Sequence, residues 1–471
     1  MTDHSETLTP RQVGGGDLRA ERPLSIAFVS TCPPRECGIA TFTSDLARAV
    51  KAADPTVRLS WAAINEAGSI HPYGPEVRWR IRQRQPASYR AAAEQINASR
   101  VDVVSLQHEF GLYGVWSDTF DDHLQPFLDT LRKPLVTTLH SVVPDPSESV
   151  REAVRRIGER SQAIVAMAET ACDLLRDVYG LDPDRVRVIP HGVPPVEPRG
   201  RTRMKRRFRL EGRQIISTFG LVDPRKGLEY MIRAMDSVVG RHPNALYLIV
   251  GKTHPELVRR AGEAYRQELY ELVEARDLDR HVAFVDAYLT QRQIIDYLLA
   301  SDVYVTPYLD PNQITSGTLA YALGAGKAVI STPYLHAKEA LANGRGILVD
   351  FRSEEQLAAA VVAILDDADF KRQLEQNAYA YGHEMAWPTV GRRMLELFRS
   401  VAEPKSNGRR LDGPALSRRA APRLAALVVD GHSSAAEARV AAPSSTTPPD
   451  AETNGSGVPK APSQTGVSGP S

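Results

Sequence analysis

The segment Tyr304 to Thr332, YVTPYLDPNQITSGTLAYALGAGKAVIST, admits few folds. It opens on a short apolar run, Val303 to Pro307, that has the composition of a buried strand. A loop carrying Asp310, Pro311 and Asn312 follows, and Gln313-Ile-Thr-Ser-Gly-Thr leads into the helical stretch Leu319-Ala-Tyr-Ala-Leu. Gly324 and Gly326 end that helix, and Ala328-Val-Ile-Ser is the next strand. Strand, loop, helix, strand is a βαβ unit. Its loop sets Thr315, Ser316, Gly317 and Thr318 at a helix N-terminus, where free N–H groups and the helix dipole suit an anion such as phosphate. A plain N-cap on a buried helix accounts for the same residue types.

The same alternation runs along the chain. Strands are expected at Leu24 to Ser30, Leu59 to Ile64, Val101 to Leu106, Leu135 to Leu139, Ile164 to Met167 and Val186 to Ile189. Helices are expected from Thr41 to Val50, Ser147 to Arg160 and Thr170 to Tyr179. The second half repeats the pattern, with strands at Gln214 to Phe219, Leu246 to Val250, Val282 to Val285 and Gly346 to Val349. Its helices are Leu228 to Val239, Pro255 to Ala275, Gln291 to Ala300, Ser353 to Asp366, Asp369 to His383 and Val390 to Val401. Strands alternating with helices predict an α/β protein with parallel sheets covered on both faces. In such sheets ligands bind beyond the carboxyl ends of the strands. His108 and His140 follow predicted strands and are candidates for gripping sugar hydroxyls or phosphate. The loop Thr31 to Ala40 is no GxGxxG fingerprint, but Gly38 beside a helix start lets a ligand approach the backbone. Arg225 and Lys226, just before Gly227 and a helix start, are placed to neutralise a phosphate, with Gly251-Lys252 ending the next strand.

At 471 residues the chain is long enough for two domains. With 58 Lys plus Arg against 57 Asp plus Glu, the net charge of +1 gives no reason to expect nucleic acid as a partner. Three cysteines, Cys32, Cys37 and Cys172, suggest a reducing compartment, and no second Cys/His pair has zinc-site spacing, so no metal is expected. Residues Met1 to Glu21 lack the apolar region of a signal peptide, and no run is apolar enough to span a bilayer. The expected setting is therefore cytoplasmic, which leaves peripheral membrane contact open. The basic stretch Arg199 to Arg209 reads as a solvated linker; a nucleic-acid, phosphate or membrane patch is the other reading. From Glu403 onward Pro, Ser, Ala, Gly and Thr dominate, which predicts a disordered tail.

An ordered set of short motifs carries a resemblance over Pro23 to Val401. It comprises Pro-Pro-x-x-x-Gly-Ile at Pro33 to Ile39, Thr-Leu-His at His140, Val-Ile-Pro-His-Gly-Val at Val188 to Val193, Lys226-Gly227, Val250-Gly251 and Tyr-Ala-Leu-Gly-Ala-Gly-Lys-Ala-Val-Ile at Tyr321 to Ile330. In this respect the chain resembles the family 4 glycosyltransferases, of GT-B fold, with two facing Rossmann-like domains. The resemblance implies an acceptor domain at 23–205, a donor domain at 206–385 and a crossover helix at 386–402, between the arm at 1–22 and the tail at 403–471 that composition predicts to be disordered. It implies a retaining transfer of sugar from a nucleotide-sugar donor to a carbohydrate or other hydroxyl acceptor, without metal or further cofactor. His140, Lys226, Arg225 and Gln313 would then be catalytic. Gly38, Gly251, Lys252, Thr315, Ser316, Gly317, Thr318 and Tyr321 would hold the donor.

The sequence also departs from the family. Two glutamates separated by seven residues are usual before the Ala-x-Gly-x-Pro-Val segment; here those positions are Gln313 and Tyr321. Gln313 still bonds hydroxyls, whereas Tyr321 offers no carboxylate to a ribose. The arginine usual in the Gly-Arg…Lys-Gly loop is Leu221, with Arg225 close by. These losses keep two alternatives in view: a phosphorylase using phosphate or a sugar 1-phosphate, and a non-catalytic sugar or nucleotide binder.

Overall fold

The computed structural model describes residues 22–116 and 119–403. Apart from Arg22 and Glu403, the expected arm and tail lie outside the described residues. The strands of the first half are β1 (Ser25–Ser30), β2 (Arg58–Asn65), β3 (Val77–Arg82) and β4 (Val103–His108). A small antiparallel ribbon follows, β5 (Gly114–Trp116) and β6 (Phe120–Asp122), and then β7 (Leu135–Leu139), β8 (Ala163–Ala166) and β9 (Val186–Val188). Seven of them form one parallel sheet in the order β3-β2-β1-β4-β7-β8-β9.

The second half holds β10 (Gln214–Phe219), β11 (Ala245–Val250), β12 (Val282–Val285), β13 (Val303–Thr306), β14 (Ala328–Ser331) and β15 (Ile347–Leu348). They form a parallel sheet in the order β12-β11-β10-β13-β14-β15. Each sheet reverses direction beside its first strand, between β1 and β4 and between β10 and β13. That reversal opens a crevice at the strand carboxyl ends, the usual ligand position in doubly wound sheets.

Burial explains the strands. Every residue of β4, β7, β8, β11, β13 and β14 is buried, as a sheet covered by helices on both faces requires. The edge strand β3 instead alternates exposed and buried residues along VRWRIR. The last helix, Trp387–Ala402, returns to the first half, where Phe398 packs against Phe28 in the core beneath β1. At the crossing, Val193 N–H donates to Met385 O at 2.9 Å and Trp387 N–H to Val193 O at 2.8 Å, pairing the outgoing and returning strands of chain.

Two expectations need correction. The stretch Arg199 to Arg209 is no solvated linker: Arg201–Arg207 is a helix. Its Lys205 ammonium lies 2.6 Å from the buried Asp302 carboxylate, which Lys371 meets at 3.0 Å. Burial alone would raise the Asp302 carboxyl, but Lys371 and Lys205 hold it below the usual range, so these basic residues serve the fold. The single helix expected from Pro255 to Ala275 is two, Pro255–Ala261 and Ala264–Glu274, because Gly262 takes a left-handed φ of 61° between them.

Candidate functional site

A cavity of about 990 Å³ is lined by the loops that follow β1, β4 and β7 in one half and β10, β11 and β13 in the other. Every site residue expected from sequence reaches its wall except His108 and Ser316.

The loop after β10 makes one tight turn, Pro224–Lys226. The Asp223 carboxylate accepts from the Arg225 backbone N–H at 2.9 Å and from its guanidinium at 2.8 and 3.0 Å. This fork fixes the turn and partly neutralises Arg225. Lys226 is spared that partner: its Nζ sits 3.7 Å from the centre of the Tyr308 ring. Burial, and then the neighbouring Arg225 charge, pull its pKa down to about 8, against the pull of Asp223. Leu221 stands on the wall where the family pattern has arginine. Lys252 is exposed on the same wall and forms no ion pair among the described residues.

Gly251 is required where it stands. Its φ is 149°, and a Cβ there would lie 2.0 Å from Gly220 O, so the loops after β10 and β11 touch backbone to backbone. The buried Arg266 locks that contact by donating to Gly251 O at 2.7 Å and Thr253 Oγ1 at 3.0 Å.

The turn after β13 starts the helix Gly317–Gly324. Ser316 is its N-cap: Oγ accepts from Leu319 N–H at 3.3 Å, and its own N–H donates to His336 Nδ1 at 2.9 Å. Ser316 is therefore buried and committed to the helix, which corrects its assignment as a ligand contact. The turn meets the cavity instead through Thr315, Gly317 and Thr318. Thr318 Oγ1 lies 2.7 Å from the Tyr308 hydroxyl, so the ring beneath Lys226 is tied to the helix start. Gly317 has no room for a side chain, since a Cβ would lie 2.9 Å from His191 Nε2. Gln313 donates its amide nitrogen to Thr315 O at 3.1 Å, leaving its oxygen as acceptor. Tyr321 accepts at its hydroxyl from Gln291 Nε2 at 3.0 Å, and the same amide donates to Asp45 Oδ2 of the first half at 2.6 Å.

On the opposite wall, a Cβ at Gly38 would meet open space, so its backbone faces the cavity. His140 follows β7 with Phe42 edge-on at 4.8 Å. Its Nε2 bonds Gln107 Oε1 at 3.0 Å, while the Gln107 amide nitrogen donates to Ser105 Oγ at 3.0 Å. Those orientations make Nε2 the donor and leave Nδ1 an acceptor. Burial, then His191 and His108, lower the His140 pKa to about 3, so the ring is neutral. His191 is likewise lowered to about 4, mainly by burial. His108 does not reach the cavity: it is fully buried and stacks on Tyr113 at 5.4 Å, so it is a core histidine.

Sequence reasoning missed Tyr308, Gln291, His336, Glu109 and Trp116. The first follows the end of β13, and Glu109 follows β4, so the strand-end rule that singled out His140 applied to both. The others reach the site only through tertiary packing. Glu109 accepts from the Ser141 hydroxyl at 2.7 Å, and burial raises its carboxyl above the ordinary range against that bond.

A family model for Glycosyltransferase Family 4 matches residues 37–197, and one for Glycosyl transferases group 1 matches residues 201–381. A D-inositol 3-phosphate glycosyltransferase of Rhodococcus erythropolis is 26% identical over 291 residues, 58% of this chain and 64% of that protein. The chain thus spans just under two thirds of that relative's length. A GDP-mannose-dependent monoacylated alpha-(1-6)-phosphatidylinositol monomannoside mannosyltransferase of Corynebacterium glutamicum is 23% identical over 404 residues, 81% of this chain and 98% of that protein. The crystal structure of Anabaena Alr3699/HepE in complex with UDP and glucose superposes with a TM-score of 0.62 at 15% identity, covering 80% of this chain and 100% of that one. At that identity the likeness establishes the fold, two Rossmann-like halves of GT-B type. With both halves matched in order by the two family models, the chain belongs to the family 4 glycosyltransferases.

Proposed function

We propose that the chain is a retaining glycosyltransferase that moves a sugar from a nucleotide diphosphate donor to a hydroxyl of a carbohydrate or other alcohol. The observation that carries this reading is the placing of charge: Arg225, Lys226 and Lys252 all stand on the second half's wall, beside the Gly317 and Thr318 turn. A leaving diphosphate belongs on that wall. The bond between the anomeric carbon and the donor phosphate oxygen breaks, and the acceptor oxygen bonds to that carbon on the same face. The acceptor proton passes to the departing phosphate oxygen, so no enzyme carboxylate is glycosylated. Lys226 holds the developing charge, with Arg225 and Lys252 outside it. His140 accepts a sugar hydroxyl at Nδ1, and Gln313 and Thr315 grip others. Gly38, Gly251 and the turn from Gly317 to Tyr321 cradle the remainder of the donor.

The reading needs no metal or further cofactor. A nucleotide-sugar substrate and three free cysteines suit a reducing, cytoplasmic compartment. No helix among the described residues is long and apolar enough to cross a membrane.

A panel of nucleotide sugars tested for protection against heat should single out one base and sugar. Proton NMR of the product should show the anomeric configuration of the donor. Inversion, or no protection by any nucleotide, would overturn the proposal.

A further inference from the structure

We infer that the acceptor is an uncharged polyhydroxylated ring, a sugar or cyclitol, seated between the face of Trp116 and the Glu109 carboxyl, and is not a phosphate ester. This rests on the transferase reading and narrows it to the acceptor's chemistry.

Trp116 lines the cavity with 51% of its surface exposed, an unusual state for the largest side chain. It is not loosely held. Its ring packs on Phe110 at 5.4 Å and Phe120 at 5.1 Å. Its strand β5 pairs with β6, and the ribbon is anchored where Phe120 N–H donates to Ser149 Oγ at 2.9 Å and His123 N–H to Tyr113 O at 2.8 Å. A supported aromatic face at a cavity wall favours the weakly positive C–H face of a saturated ring. Glu109 also lines the cavity, seven residues earlier in the chain and directly before Phe110, and its carboxyl supplies acceptors for ring hydroxyls.

Charge separates the two acceptor classes. Among the described residues, the first half contributes no lysine or arginine to the cavity wall. Its titratable groups there are Glu109, His140 and His191, and both imidazoles are neutral. Arg35, in the loop after β1, is turned to Glu66 and Gln83 instead. Ser117 and Asp118, which follow Trp116 in the sequence, are not cations. The cations of the opposite wall are those the donor diphosphate requires. A phosphate on the acceptor would therefore meet a carboxyl and an aromatic face, with no counter-charge from the described residues of that wall to replace its water.

The test is a calorimetric titration of the full chain, with UDP or GDP present, against inositol and inositol 3-phosphate and against glucose and glucose 6-phosphate. At least one neutral ring should bind, about tenfold or more tighter than its phosphate ester. Glu109→Lys should reverse that order. Trp116→Ala should weaken the neutral ring about tenfold, and Trp116→Phe should restore most of the loss. Thermal protection by the nucleotide checks that each variant is folded. Tighter binding of the ester, or binding of neither neutral ring, overturns the inference. Because binding is read without turnover, failed transfer chemistry does not mimic that result. A phosphate-preferring enzyme that still transfers sugar would sink this inference alone.

Discussion

In the second half, the loops after β10 and β13 meet through Lys226, Tyr308 and Thr318, and they bring cations and a helix start to the cavity. In the first half, the loops after β4 and β7 meet through Glu109 and Ser141, with a neutral His140 beside them. Both halves are parallel sheets with a reversal beside their first strand. The difference in the chemistry of their walls lies in what stands at the strand ends. On the proposed function, one wall holds a departing anion and the other holds hydroxyl groups. Shared topology supplies the crevice, and the loops decide the chemistry.

The sharpest way to break this contrast is Lys226→Ala. Loss of an ammonium aimed at developing charge should lower kcat/KM about 100-fold or more. Melting temperature should hold or rise, because the variant no longer buries that charge. Unchanged kcat/KM would remove Lys226 from the site and with it the division of labour between the walls.

A pH profile sharpens the same point. The folded protein lowers the Lys226 pKa from 10.5 to about 8. The cation is therefore present below that pH and lost above it, so kcat/KM should fall above about pH 8, approaching tenfold per unit. The stability contribution has the opposite sign. Between the folded and unfolded pKa values the unfolded chain binds the proton more tightly, so this group's contribution to stability rises with pH across that window. Lys226→Arg should move the activity limb out of range. Persistence of the limb in that variant would assign it to another group.

The halves are also joined, and that join can be cut. The helix Glu169–Asp177 begins at Ala168, which offers no capping side chain. Glu339 of the second half does the capping instead: its carboxylate accepts from the N–H groups of Glu169 and Thr170 at 2.9 Å and from Thr170 Oγ1 at 2.8 Å. Glu339→Ala should cost about 1 kcal/mol. Because the cap exists only while the halves are together, substrate KM should rise several-fold with kcat largely kept. A fall in kcat with unchanged KM would show that the contact does not govern closure.

What could be read from sequence divides along the same line. The strands and most helices were legible because apolar runs of strand length alternate with amphipathic helices, and β7, β10, β12 and β14 have the expected bounds. That Lys226, Gly251 and Gln313 reach the cavity wall was legible because the first two stand in loops after predicted strands and Gln313 at a position that the family pattern marks. The edge strand β3 was missed because its VRWRIR alternation has charged residues at every second position, next to arginine-rich flanks. Ser316 was misread because its N–H acceptor, His336, lies twenty residues away and only the fold brings it in. Trp116 was missed because exposure of an aromatic ring is a property of tertiary packing, whereas Glu109 stands at a strand end, where the rule that singled out His140 also applied.

Tyr321 tests the join between the walls at its finest. Its hydroxyl and Asp45 share one amide, that of Gln291, so the position where the family pattern implies a glutamate here sits in a bridge between halves. Tyr321→Phe removes one bond of about 0.5–1.5 kcal/mol and leaves Gln291 on Asp45, so kcat/KM should change less than about tenfold. Tyr321→Glu asks more. Burial already raises the Asp45 carboxyl above its usual range, against the pull of Arg48. A second carboxylate on the same amide should lower the melting temperature of the empty protein. A nucleotide whose ribose hydroxyls can donate to that carboxylate should then recover the loss, giving a larger nucleotide-induced shift than in the native chain. An equal or smaller shift would mean that the ribose does not reach this position, and that Tyr321 belongs to the contact between the halves and not to the donor site.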